Sequence, residues 1–153
     1  MKKLAFTLLA CLAIQIPAHS QETAEQLVAT MRKADMTYKE LMGSMGRSLE
    51  TMQHGVLTMN REMVEQGAYF IFNHPAPNHA PWAIFQPSDQ AGFKSALVTY
   101  DKVLDEHTKD IVKSANSRDW LKASEHLSAL QGACVSCHVQ WQQKAMRWPP
   151  LRN

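Results

Sequence analysis

Apolar residues recur at steps of three and four along most of the chain, which is the spacing that places them on one face of an α-helix. The pattern predicts four helices, over residues 23–54, 60–73, 88–115 and 119–146, and no strand. The apolar stripe of the first helix comprises Leu27, Met31, Ala34, Tyr38, Met42, Met45, Leu49 and Met52. The stripe of the fourth helix comprises Trp120, Ala123, Leu127, Leu130, Cys134, Cys137 and Trp141.

Short polar residues and glycine mark the ends of these helices. Thr58 or Asn60 can cap the second helix, because such side chains accept hydrogen bonds from the first free N–H groups. Ser88 and Asp119 are the corresponding residues for the third and fourth helices, and Gly55 suits the end of the first. A loop with four prolines spans residues 74–87. Four amphipathic helices with short connections predict an all-α fold, an antiparallel four-helix bundle.

Residues 1–20 are a segment of a different kind. Two lysines precede an apolar run over residues 4–16, and Ala18 and Ser20 stand at the two positions that a signal peptidase reads. The pattern predicts a secretory signal that is cleaved before Gln21, so that residues 21–153 form one exported, periplasmic domain. An uncleaved anchor and lipidation at Cys11 are the alternatives.

The net charge of the exported chain is close to zero. The full sequence has 16 Lys and Arg against 14 Asp and Glu, and loss of Lys2 and Lys3 leaves 14 of each sign. There is no basic face for nucleic acid and no basic amphipathic helix for a membrane surface. The sequence also has no Ser-His-Asp spacing, core carboxylate pair or P-loop, so we expect neither enzyme activity nor stable membrane insertion.

Cys134 and Cys137 are two residues apart, and His138 follows directly. In an exported protein such a pair can be a disulfide, a redox motif, half of a zinc site or a haem attachment site. A thioredoxin-like motif needs a neighbouring strand, and zinc needs a second ligand pair, for which His74 and His79 would have to serve. Cys-x-x-Cys-His is the attachment signature of c-type haem, because both sulfurs lie on one side of a helical turn and the histidine can bind the iron axially. We therefore predict one covalent haem c on these three residues.

This motif, near the end of the fourth helix of an exported bundle, resembles the class II c-type cytochromes. These are cytochrome c-prime and its low-spin, methionine-ligated relatives. The resemblance covers the mature chain through Trp141, and residues 88–94 are similar to the usual start of the family's third helix. It implies redox partner proteins, and such cytochromes are often homodimers through helices 1 and 2. Gln142 departs from the family, which often has Arg or Lys there, and this weakens any argument for a positively charged proximal pocket.

The residue of helix 1 that faces the iron separates two functions within the family. Leucine leaves the iron five-coordinate and open to small gases, whereas methionine makes it six-coordinate and suited to electron transfer. Cys134 lies about 22 Å along its helix from Asp119, and an equivalent height on helix 1 favours Met42 as the distal ligand, with Met45 as the runner-up. Residues 41–47 also resemble the Leu-Met-x-x-x-Gly-Arg stretch of methionine-ligated relatives. Electron transfer through a haem iron held by His138 and Met42 is thus the predicted function, and gas binding at an open distal site is the alternative.

Overall fold

The computed structural model describes residues 23–147, and most of this range is helical. The α-helices are α1 (Ala24–Thr30), α2 (Tyr38–Leu57), α3 (Arg61–Asn73), α4 (Pro87–Asn116) and α5 (Trp120–Arg147). The remaining elements are a 3-10 helix (Pro81–Ile84) and the two-residue strands β1 (Lys33–Ala34) and β2 (Ala76–Pro77). The all-α class is confirmed. The predicted signal peptide and its cleavage site lie outside the described residues.

The predicted first helix is two helices in the structure. α1 ends at Thr30, where Met31 takes the extended conformation with φ −81° and ψ 146°. The chain then forms β1, which pairs in parallel with β2, and α2 begins only at Tyr38. The predictions of one continuous helix over residues 23–54 and of no strand were therefore wrong.

A capping box sets the start of α2. The Thr37 hydroxyl accepts a hydrogen bond from the Glu40 N–H at 3.2 Å, and the Glu40 carboxylate accepts one from the Thr37 N–H at 2.7 Å. This reciprocal pair satisfies two N–H groups that a helix start leaves free. The apolar spacing did not reveal the break, because Ala34 and Tyr38 keep their interval of four across it.

Two of the other predicted caps are confirmed, and one is not. Asn60 and Asp119 each accept a hydrogen bond at 3.1 Å from the backbone N–H three residues further on. The third predicted cap, Ser88, lies inside α4. That helix begins at Pro87, with Gln86 as a cap residue that makes no side-chain cap bond. Proline suits this first position, since its missing N–H would have no partner there.

Glycines bring α2 and α3 into close backbone contact. Gly55 was expected at a helix end, but it is buried inside α2, where a Cβ would lie 2.7 Å from the Val64 nitrogen. A Cβ on Gly67 of α3 would lie 2.6 Å from the Ser48 carbonyl oxygen and 2.9 Å from the Met52 nitrogen. Backbone atoms cannot move aside cheaply, so each of these two positions requires the absence of a side chain.

One cluster of buried side chains, Ala24, Leu27 and Val98, joins α1 to α4, and two further clusters involve α5. One, the aliphatic cluster, comprises Met52, Val56, Val64, Ala68, Ile71, Ile111, Ala115, Ala123, Leu127 and Leu130. The other, the aromatic cluster, comprises Phe85, Phe93 and Trp141, with Tyr38, Trp82, Ile84, Ala96, Cys137 and Ala145 packed against it. The aliphatic cluster joins the end of α4 to the start of α5, and the aromatic cluster joins the start of α4 to the end of α5. α4 and α5 are therefore antiparallel. α2 is also antiparallel to α5, because its start packs on the aromatic cluster with the end of α5 and its end belongs to the aliphatic cluster with the start of α5.

Each of the helices α2 to α5 packs against two others of this set. α2 contacts α3 and α5, and α4 contacts α3 and α5, while the short α1 packs on α4. Of the four contacts among α2 to α5, the one between α2 and α5 is the least extensive. None of the helices within residues 23–147 combines the length and the apolar character that crossing a bilayer requires.

Replacing Gly67 with alanine should destabilise the protein by about 1–3 kcal/mol, because the added methyl group overlaps backbone atoms of α2. Chemical denaturation of Gly67→Ala and of the unsubstituted protein measures the difference. Gly132→Ala is the matched control, since a Cβ there meets no atom within 4 Å. This control should gain about 0.5–1 kcal/mol from the better helix propensity of alanine. Equal stabilities for Gly67→Ala and the unsubstituted protein would show that α2 and α3 are not in backbone contact.

Candidate functional site

The three residues of the Cys-x-x-Cys-His motif lie on one side of α5. Cys134 and Cys137 are both half-buried, and Trp141, one turn beyond Cys137, is buried. His138 is exposed. Residues three and four apart share a helix face, so the histidine stands at the solvent edge of the face that carries both thiols.

The inner face of α5 changes its packing at Cys134. Leu130, one turn earlier, belongs to the aliphatic cluster, and Cys137, one turn later, packs against the aromatic cluster. Cys134 belongs to neither of these clusters. The aliphatic and aromatic clusters thus separate at the height of Cys134, and this boundary between them is the interruption of the core.

Met42 lies at the same height on α2. Tyr38, one turn before it, packs against the aromatic cluster, and Met45, just after it, packs against the aliphatic cluster. Met42 is half-buried and belongs to neither. At 1.5 Å per residue it is about 6 Å along the helix axis from Tyr38 and about 4.5 Å from Met45. The methionine predicted as the distal ligand and the first cysteine therefore stand at the same interruption of the core.

Small residues leave space on α2 close to Met42. A Cβ on Gly46 would meet no atom within 4 Å, and one on Gly43 would meet only the end of the Arg47 side chain, at 3.6 Å. Both glycines are exposed, and they belong to the helix pair with the least extensive contact. No side-chain bulk therefore stands next to Met42 at these two positions of α2.

The two cysteines are half-buried and are not joined by a disulfide. Burial raises the pKa of the Cys134 thiol, and burial together with the neighbouring Cys134 raises the pKa of Cys137 to about 11. Catalytic redox pairs have lowered thiol pKa values, produced by helix N-termini or neighbouring positive charges. This pair lies in the middle of a helix and has raised pKa values, so it lacks the electrostatics of a thiol–disulfide catalyst.

Aromatic rings close the side of the site toward the end of α5. The ring centroids of Phe85 and Phe93 are 4.2 Å apart, and those of Phe93 and Trp141 are 5.4 Å apart in an edge-to-face arrangement. The Trp141 indole nitrogen is buried and, within the described part of the chain, has no hydrogen-bond partner. It is therefore a donor still available to a group bound near Cys137.

The sequence did not single out Tyr38 and Asp101 as site residues. Burial, followed by the proximity of Cys137 and Asp101, raises the pKa of the Tyr38 hydroxyl. Asp101 Oδ1 lies 4.0 Å from His74 Nε2. The side chains of Tyr38, His74 and Asp101 line a cavity of about 30 Å³. The sequence signal for Tyr38 was its place on the apolar stripe, whereas nothing in the local sequence marked Asp101.

The histidines proposed as a second zinc ligand pair lie elsewhere. His74 is held by Asp101 and by the Pro75 carbonyl oxygen, 3.1 Å from its Nδ1. Over residues 23–147, no three His, Cys, Asp or Glu side chains are grouped so that they could hold a metal ion. The structure therefore does not bring His74 and His79 together with the cysteine pair.

Comparisons with known proteins assign neither a family nor a function to the chain. The chain matches no protein-family model, no curated protein and no solved structure. The resemblance to class II c-type cytochromes therefore rests on the residues quoted above, and the function has to be inferred from the site.

In the thiol form of the chain, alkylation of Cys137 by iodoacetamide should be slow at neutral pH and should accelerate up to about pH 11, because only the thiolate reacts. Folding raises this pKa from its usual value of 9.0, so the resulting stabilisation is complete below pH 9.0 and is lost as the pH rises through about 11. Rates measured by mass spectrometry over a pH series test this. The urea-unfolded chain is the control and should show the usual pKa. A folded-state midpoint at or below the unfolded one would contradict the burial of this thiol.

Proposed function

We propose that this protein is an exported mono-haem cytochrome of the class II c type that transfers electrons in the periplasm. In this proposal α2 to α5 form an antiparallel four-helix bundle. The observation that carries the proposal is the position of the Cys-x-x-Cys-His motif, which lies on the inner side of α5 at the interruption of the core. Redox partner proteins would supply and accept the electrons.

Four residues would hold the haem. Cys134 and Cys137 would form the thioether links, and their spacing places both sulfurs on one side of α5. Burial raises the pKa of both thiols, which favours their neutral form, and no disulfide joins them. His138 and Met42 would be the axial ligands, one from each of two antiparallel helices.

The exposed position of His138 is compatible with this role. The histidine is adjacent to Cys137 and one turn from Cys134, so it stands next to both side chains that would anchor the haem. The backbone of α5 needs no change, because the whole motif is already helical. Met42 is half-buried at the same height on the opposite helix.

A bound haem supplies a one-electron ferric/ferrous couple whose potential depends on its axial ligands and on burial. The chain's own residues would tune that couple. A methionine thioether would favour the ferrous state and so raise the potential, and the apolar clusters on both sides of Met42 and Cys134 would limit the access of water. Since both proposed ligands stand on long helices, they would move little when the charge of the site changes.

Gas binding is the second candidate function. The observation that favours it is the lack of side-chain bulk at Gly43 and Gly46, on the helix that carries Met42. A small diatomic ligand needs such space on the distal side, and a distal methionine that packed without binding iron would leave the iron accessible. The coordination state of the iron separates the two functions.

The exported protein, produced together with a c-type maturation system, should carry one covalent haem per chain. Intact-mass spectrometry and haem staining after denaturing electrophoresis measure this. The double variant Cys134→Ala/Cys137→Ala should carry none, because both thioether links are removed. Ser136→Ala, between the two cysteines, is the matched control and should keep full haem content. A mature polypeptide of bare mass, with its thiols free or joined to each other, would refute the proposal.

Met42→Ala should convert a low-spin haem spectrum to a high-spin one and lower the midpoint potential, because the thioether ligand is lost. Optical spectroscopy and potentiometry measure both changes. Met45→Ala is the matched control. It packs against the aliphatic cluster, so it should lose stability and keep the low-spin spectrum.

Retention of the low-spin spectrum by Met42→Ala would show that Met42 is not a ligand. An unsubstituted protein that is already high-spin and binds carbon monoxide readily would instead support the gas-binding function.

A further inference from the structure

A small cavity lies between α2, α4 and the proline-rich loop. Its volume is about 30 Å³, and its lining is apolar except for Tyr38, His74 and Asp101. A cavity of this size takes one water molecule, and a buried water needs two to four polar partners, which these three side chains can supply. Neither of the proposed axial ligands, Met42 and His138, lines it. The cavity is therefore a polar site separate from the iron ligands.

The surroundings of His74 determine which of its ring nitrogens can gain a proton. Nδ1 lies 3.1 Å from the Pro75 carbonyl oxygen. A carbonyl oxygen only accepts hydrogen bonds, so Nδ1 carries the proton of the neutral ring. Nε2 is then the nitrogen without a proton, and it lies 4.0 Å from Asp101 Oδ1. A proton that the ring gains therefore goes to Nε2, where it faces a carboxylate.

The cavity separates the histidine and the carboxylate only partly from solvent. The side chains of His74 and Asp101 are 15% and 25% exposed. Histidine is the side chain whose charge ordinarily changes between pH 5 and 8. Tyr38 does not change its charge in this range, because burial, followed by the proximity of Cys137 and Asp101, raises the pKa of its hydroxyl.

The nearest other charges have partners of their own. Asp105, one turn beyond Asp101 on α4, pairs with Lys109, with 3.7 Å between Oδ2 and Nζ. Lys33 of β1 donates a hydrogen bond from Nζ to the Val28 carbonyl oxygen at 3.1 Å. No further Asp, Glu, Lys, Arg or His among the described residues lines the cavity. Proton uptake in the cavity near neutral pH is therefore assigned to the histidine beside Asp101.

Tyr38 connects this cavity with the candidate haem site. It packs against the aromatic cluster, as Cys137 does, and its ring lies edge-to-face on Phe93 with 5.9 Å between the centroids. The same tyrosine lines the cavity together with His74. Charges on the two sides of this partly buried side chain are screened less by salt than charges at the surface.

We infer that reduction of the haem is coupled to the uptake of one proton by His74, an inference that rests on the proposed function. In the coupled step the ferric iron gains one electron from a redox partner protein, and His74 Nε2 gains one proton from solvent. The ring becomes an imidazolium beside Asp101. Reoxidation returns the electron to a partner and the proton to solvent, so the protein carries one electron and one proton together.

The coupling has an electrostatic cause. Reduction removes one positive charge from the iron, and this favours a positive charge on the nearby histidine. For two unit charges about 10 Å apart, at an effective dielectric constant of about 20, the interaction corresponds to roughly a tenfold change in binding. The ferrous protein should therefore bind this proton about tenfold more tightly than the ferric protein.

Potentiometry of the haem protein between pH 5 and 8 tests the inference. Since protons favour the ferrous form, the midpoint potential should fall as the pH rises through the titration of His74. The total fall due to this residue should be about 59 mV, the equivalent of a tenfold change for one electron. His74→Asn should lose this part of the pH dependence, because an amide nitrogen can replace Nδ1 as the donor to Pro75 but gains no proton.

His126→Asn is the matched control. His126 also stands beside a carboxylate, with 3.8 Å between its Nδ1 and Asp110 Oδ2. It precedes Cys137 by eleven residues of α5, or about 16 Å along the helix axis. Its replacement should leave the pH dependence of the potential unchanged.

Nuclear magnetic resonance of the His74 ring measures the proton affinity without any variant, in the ferric, ferrous and haem-free thiol forms. This measurement decides the question even when His74→Asn does not fold. Equal pH dependence in His74→Asn and the unsubstituted haem protein, equal proton affinity in the two oxidation states, or a His74 ring that gains no proton between pH 5 and 8 would overturn the coupling alone. A mature chain without covalent haem would refute the proposed function as well.

Discussion

The backbone contact between α2 and α3 determines the height at which α2 meets the rest of the molecule. Gly55 and Gly67 leave no room for a side chain there, so α2 cannot slide along α3 without overlap of backbone atoms. Interiors packed at this density transmit a displacement instead of absorbing it. The position of Met42 opposite the interruption of the core therefore depends on Gly55, near the other end of α2, and on Gly67 of α3.

α5 is the element on which the other features converge. Its inner stripe contributes to both clusters and carries the two thiols. Near its end, Lys144 Nζ lies 2.8 Å from Asp89 Oδ1 at the start of α4. Its outer side exposes Leu121, Val135 and Val139 to solvent.

Partial burial determines the electrostatics of the site, because it disfavours the charged forms of the side chains there. The thiols have raised pKa values because burial penalises their charged form, and the Tyr38 hydroxyl beside Cys137 is affected in the same way. Such an environment disfavours thiol–disulfide chemistry and favours retention of neutral ligands. The proposed role of the cysteines, as anchors and not as reacting groups, agrees with this environment.

The sequence alone determined the helical class, the caps at Asn60 and Asp119, and the shared inner face of Cys134 and Cys137, because helix periodicity and capping are local properties. It did not show that the first helix breaks before Thr37, since the apolar interval of four continues across the break. Only the tertiary structure placed both Met42 and Cys134 where the aliphatic and aromatic clusters separate, and brought Tyr38 close to Cys137 and to Asp101. These features depend on how separate helices are shifted and rotated against one another, and contacts between residues far apart in sequence determine that arrangement.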